Sequence, residues 1–446
     1  MTRTTRIHVA ARSAAVLCLL VAPLAARAED YTYATNRGTI TITRYKGPGG
    51  AVTIPEKING LPVTSIDYHT FSRCASLTDV TIPNTVTNIE SYAFAECGLT
   101  SVTIPSSVRR IGDTPFLYCD RLTAIGVDPL NPRYSSVDGV LFNKRQTSLL
   151  QYPGGKAGNY TVPSTVSTIG WNAFSYCNGL ANVTIPSSVT NIGPGAFSLC
   201  TGLSAIIVDA LNSSYSSVDG VLFNKSQTEL IQHPAGKAGD YTIPSSVTWI
   251  GERAFAWCTN PSVTIPNGVT SIGREAFLSC SRLTHIVIPN SVTRISDKAF
   301  DRCTRLATIT IGSGVTSIER ETFQLCTSLT DVTIPNSVTN IGNLAFRSCS
   351  SLTNILIGNK VKNIGAWAFS DCTNLSTVMI PRSVTQIGRF AFAYCTSLTA
   401  VCFQGNAPDA PPDAFYGATK ATVYYLPGTA RWGSTFGSRP TAPSKP

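Results

Sequence analysis

The sequence predicts a β-solenoid: a parallel sheet on one face, with short turns and helical or 3₁₀ segments closing each coil on the other. Two columns of residues carry this reading. Cys280, Cys303, Cys326, Cys349, Cys372 and Cys395 stand 23 residues apart, as do Cys74 and Cys97, and Cys177 and Cys200. Phenylalanine keeps the same count three positions earlier, from Phe71 through Phe346 to Phe415, so that 13 of the 18 Phe fall in one column. Within the unit Leu329 to Ser351, Val332 and Ile334 alternate as in a strand, whereas Val338, Ile341, Phe346 and Cys349 are more widely spaced. That change of period marks a strand followed by a turn and an irregular or helical return. A coil this short buries its apolar side chains only against copies above and below, so stacking is obligatory.

The elements follow in chain order. Residues 1–28 read as a secretory signal: Arg3, Arg6 and Arg12 precede an apolar run from Ala14 that ends in Ala26-Arg27-Ala28. The run is short of the roughly 20 residues a bilayer span needs, and no later stretch approaches that length. Residues 29–60 form an N-terminal cap, with a hairpin around Asn36-Arg37-Gly38 covering the first coil's open edge. The solenoid proper occupies 61–402. In each coil the residues equivalent to Val332 and Ile334 point inward and those equivalent to Asp331 and Thr333 outward, and Pro335 ends the strand. Two inserts, near 126–160 and 207–241, interrupt it. They belong to a duplication: residues 119–176 and 200–257 align without gaps, with 37 of 58 positions identical. Asp138-Gly139 and Asp219-Gly220 are turn dipeptides, so each insert reads as a β-hairpin or small meander. Residues 403–446 form a C-terminal cap with a last strand near Val423 to Leu426 and a Pro/Ser tail.

The strand pattern resembles the leucine-rich repeat. The 23-residue unit, with Ile-Pro, then Ser-Val-Thr-x-Ile-Gly, then Ala-Phe-x-x-Cys, is similar to the BspA-like class of bacterial surface proteins over roughly residues 50–425. The resemblance implies a leucine-rich repeat solenoid and, for some members, surface adhesion or attachment to host and matrix. The usual Asn or Cys ladder after the strand is replaced by Ser107, Ser188, Ser246, Ser291, Ser337 and Ser383, with Gly268, Gly314 and Lys360 as exceptions, which predicts a broken serine ladder.

Chemistry is sparse. Only His69, His233 and His285 lie beyond the signal, far apart in the stack, and there is no Gly-x-Ser-x-Gly elbow, phosphate-binding glycine loop or His-Glu-x-x-His. No catalytic residue, metal site or cofactor is expected, and the chain reads as non-enzymatic. Loss of Arg3, Arg6, Arg12 and Arg27 lowers the formal charge from +10 to +6, with Lys and Arg scattered singly; nucleic-acid binding is not expected. The column cysteines read as buried thiols, because equivalent side chains on neighbouring coils point in parallel and keep Cβ atoms beyond the roughly 3.8 Å of a disulfide. On the return side, Glu252, Arg274, Asp297 and Arg320 alternate in sign down one column and Arg253, Glu275, Lys298 and Glu321 down the next, predicting ion pairs between neighbouring coils.

The outward strand column is mostly threonine, at Thr81, Thr103, Thr184, Thr264, Thr310 and Thr333. Toward the C-terminal half it changes to Leu356, Met379, Cys402 and Tyr424, beside His285, Asp331 and Asn354 in the adjoining column. This apolar strip with a polar rim is the candidate binding surface, unless the C-terminal cap folds over it. The expected role is an exported scaffold, secreted or at the cell surface or periplasm, monomeric, binding a protein or glycan outside the cytoplasm. A structural or assembly part of the cell envelope is the alternative.

Overall fold

The computed structural model describes residues 28–444 and the backbone of Leu24–Ala25; the signal segment otherwise lies outside the described residues. Each coil contributes one strand to a parallel sheet. Strands His285–Ile288, Thr308–Ile311, Asp331–Thr333 and Asn354–Leu356 pair in that order, with Thr308, Asp331 and Asn354 in register. Val332 and Ile334 are buried, and Asp331 and Thr333 are exposed, as the alternation requires.

A second sheet was not legible in the sequence. Two-residue strands such as Ser317–Ile318, Asn340–Ile341, Asn363–Ile364 and Gln386–Ile387 pair in parallel after the turn that follows each main strand. Their isoleucines are buried and support the core from a second side.

The return is not helical or 3₁₀, as expected, but a run of turns. In most coils two non-glycine residues adopt positive φ on either side of the column phenylalanine, for example Leu344 (62°) and Ser348 (59°) around Phe346. Helical φ cannot continue through such positions. In exchange, alternate amides point along the stack: the N–H groups of Leu344, Phe346 and Ser348 donate to the carbonyls of Ala366, Ala368 and Ser370 at 2.9, 2.8 and 2.8 Å. Coil-to-coil hydrogen bonds thus replace the local bonds of a helix and offset the cost of left-handed backbone.

The core is a column of stacked rings. Phe346 and Phe369 lie 5.3 Å apart and Phe369 and Phe392 5.2 Å apart, close to the strand spacing of the sheet. Beside it, most column thiols donate to the phenylalanine carbonyl one coil back, as Cys349 Sγ does to Phe323 O at 3.2 Å and Cys372 Sγ to Phe346 O at 3.3 Å, while Cys177 and Cys258 turn to the carbonyls of Tyr152 and His233, and Cys74 is only partly buried. No described cysteine is in a disulfide. Ser107, Ser188, Ser291 and Ser337 donate at 2.6 to 2.7 Å to the valine carbonyl of the preceding coil; Gly268, Gly314 and Lys360 interrupt this ladder, and Ser383 Oγ finds no partner.

The N-terminal hairpin, Tyr31–Asn36 with Thr39–Tyr45, places Tyr45 on Phe71 at 5.0 Å and so closes the ring column. Each insert is a three-stranded meander, Tyr134–Val137, Val140–Asn143 and Ser148–Gln151 in the first. Buried Asn131 ties it to the preceding coil: its Nδ2 donates to Pro105 O and Val108 O at 2.8 and 3.1 Å, and its Oδ1 accepts from the Arg133 and Tyr134 amides at 2.9 Å. Asn212 repeats this arrangement in the second insert.

Candidate binding surfaces

The main sheet holds the strip that the sequence singles out. Leu356 and Met379 are 55% and 53% exposed, Cys402 and Tyr424 are half-buried, and Met379, Cys402 and Tyr424 stand in register on successive strands. His285, Asp331 and Asn354 are exposed in the adjoining column, His285 being two strands from Asp331. The C-terminal cap does not cover the strip. Strand Arg439–Pro443 pairs in parallel beside Thr422–Tyr425 and lengthens the sheet, while Trp432 and Phe436 turn inward against Phe403 at 5.0 and 5.2 Å. Sequence reasoning passed over Val287, an outward strand residue 57% exposed, and over Leu130 and Leu211, equivalent positions on the two inserts that are 82% and 83% exposed.

The opposite face carries more varied chemistry. Positive-φ positions project side chains outward from the returns, among them Tyr92, Tyr118, Tyr176, Trp367, Phe390 and Tyr394. Near the C-terminal end Trp367 stacks on Phe390 at 4.4 Å, with the Arg347 and Arg389 guanidinium groups over their rings. No local pattern marks these residues, because the coil-to-coil bonds impose the left-handed backbone.

The charge alternation holds in one column only. Arg253 pairs with Glu275 at 2.6 Å and Lys298 with Glu321 at 3.1 Å, each between neighbouring coils. In the other column Arg274 and Arg320 turn sideways to the same two carboxylates, at 3.3 and 2.7 Å. The paired column consists of positive-φ residues whose carboxylates are buried, so the cations on both sides converge on them. Between these coils, burial raises the Asp301 carboxyl to about 6.

No group of three or more His, Cys, Asp or Glu among the described residues is arranged to hold a metal. Buried His233 has its Nδ1 3.5 Å from Cys258 Sγ. Burial lowers the imidazole to about 4 and raises the thiol, so neither is poised as a base or nucleophile near neutral pH.

The BspA type Leucine rich repeat region (6 copies) matches residues 51–147, 152–238, 235–353 and 316–434. No curated protein matches the sequence. Among solved structures, a leucine-rich repeat protein from Eubacterium ventriosum is 26% identical with a TM-score of 0.57, over 80% of this chain and 90% of that one. A leucine rich cell surface protein from Faecalibacterium prausnitzii is 25% identical with a TM-score of 0.39, over 92% and 96%. The pneumococcal vaccine antigen PcpA is 18% identical with a TM-score of 0.46, over 93% and 96%.

Proposed function

The chain belongs to the BspA-type leucine-rich repeat family, and from that premise we propose that it acts as an exported, non-enzymatic scaffold that binds a protein or glycan outside the cytoplasm. The strip of Leu356, Met379, Cys402 and Tyr424, rimmed by His285, Asp331 and Asn354, is its contact surface. The observation that carries this reading is the exposure of Leu356 and Met379 on a regular sheet that has no packing need for them. The two preceding strands offer Thr310 and Thr333 at the same position, so the apolar run that begins at Leu356 departs from the threonine column in a way that suits a partner. No described helix is long and apolar enough to cross a membrane.

The test is a matrix-protein and glycan array probed with residues 29–446. Leu356→Ser with Met379→Ser should weaken binding of the captured partner at least tenfold and leave the melting temperature unchanged. A loss of stability above about 2 kcal/mol would show that both residues serve packing instead.

A further inference from the structure

A cleft of about 650 Å³ opens on the return face beside the first insert, lined by Glu96, Tyr118, Asp120, Arg121, Tyr176 and Asn178, with Ala75, Cys97 and Gly98 completing its wall. Two departures from the repeat create it. Cys97 and Leu99 are joined by Gly98 alone, a shortening that recurs at Thr259 between Cys258 and Asn260 but not in the other coils, and Arg121 of the next coil shares the cleft wall with Gly98. The insert's own coil then replaces the projecting return with Tyr152-Pro153-Gly154-Gly155, so Tyr118 and Tyr176, two coils apart, meet edge to face with ring centroids 3.6 Å apart. Glu96 and Asp120 line the same cleft as the tyrosine pair, and burial together with the nearness of Tyr118 and of both carboxylates pushes the Tyr176 phenol up.

The duplicated segment is an internal control. Its equivalents of Tyr118, Asp120, Arg121 and Tyr176 are Leu199, Thr201, Gly202 and Trp257. There the preceding link keeps two residues, Asn178-Gly179, and a Cβ on Gly202 would lie 2.2 Å from Asn178 O, so an arginine has no room. The polar set therefore belongs to the first copy alone.

We propose that this cleft is a binding subsite for a neutral saccharide, taking hexose or N-acetylhexosamine units of a glycan. This deepens the scaffold reading and rests on it. A pyranose presents an apolar C–H face and a belt of hydroxyls that both donate and accept; tyrosine rings suit the first, and carboxylate, guanidinium and amide groups in one wall suit the second. Charged ligands fit worse. Glu96 and Asp120 oppose an anionic sugar, while Arg121, and the Arg73 guanidinium already 3.4 Å from Glu96, oppose a cationic peptide.

The experiment places the full chain on an array of neutral hexose and N-acetylhexosamine oligosaccharides, acidic glycans, cationic peptides and matrix proteins. Affinities are then measured for Asp120→Thr with Arg121→Gly, the residues of the second copy, and separately for Asn178→Ala. Capture of neutral oligosaccharides, weakened at least tenfold by either variant at an unchanged melting temperature, is the expected result. Neutral-glycan binding that survives both variants within twofold overturns the cleft and leaves the scaffold reading intact, as does capture of acidic glycans, peptides or proteins only. Capture of nothing overturns both.

Discussion

The two inserts share a backbone and differ in chemistry. Both fold as the same meander, both hang on a buried asparagine, and both interrupt the phenylalanine column, which the first fills with Tyr152 and the second with His233. What they share includes the buried Val140-Leu141-Phe142-Asn143 and its copy Val221-Leu222-Phe223-Asn224, with Asp-Gly before each, and also the exposed Leu130 and Leu211. What they do not share includes the column plug, the return-face residues Asp120 and Arg121 against Thr201 and Gly202, and strand positions such as Gly126 against Ile207. Stacking thus constrains most of the interior of each copy and leaves the plug and the outward positions free to diverge.

The largest effect should be the same in both copies. Phe142→Ala and Phe223→Ala each empty a fully buried site and should each cost about 3–5 kcal/mol, read from local amide exchange or denaturant melts. Clearly unequal costs would break the equivalence of the inserts. Next come Asn131→Ala and Asn212→Ala, which leave buried carbonyls and amides without partners at about 1–3 kcal/mol per orphaned group. Exchange should accelerate first at residues 131–134 and 212–215 respectively.

The plug residue sharpens the difference. His233 is neutral when folded, lowered by burial from 6.5 to about 4, so between those values the unfolded chain binds more protons. Its stability is present above pH 6.5 and is lost as the pH falls through this window. His233→Tyr, which installs the first copy's residue, should flatten the fall in melting temperature between pH 6.5 and 4; an unchanged slope would show that His233 does not drive it. The smallest effect concerns Arg253, whose equivalent in the first copy is Asn172. Arg253→Asn removes the partly buried pair with Glu275 and should cost about 1 kcal/mol, falling further in high salt.

The sheet and its inward and outward columns were legible because each rests on a short-range pattern repeated along the stack. The returns were not. Residues such as Leu344 and Trp367 carry no local preference for positive φ, and only bonds to the next coil hold them there. The second sheet escaped notice because two residues per coil are too few to show a period. The strip of Leu356 and Met379 could be read from its alternation. The cleft could not, since it depends on a single missing residue next to Gly98 and on how the first insert's coil bypasses the return.

Cys402 offers the most direct test of binding at the strip. It sits half-buried between Met379 and Tyr424, whereas the column thiols such as Cys349 and Cys395 are buried and raised to about 12, and partly exposed Cys74 lies at the far end of the solenoid. With saturating partner from the array, alkylation of Cys402 in the native protein should slow at least tenfold while Cys74 reacts at its original rate. A partner that stays bound while Cys402 is alkylated as fast as in the free protein would contradict binding through the sheet.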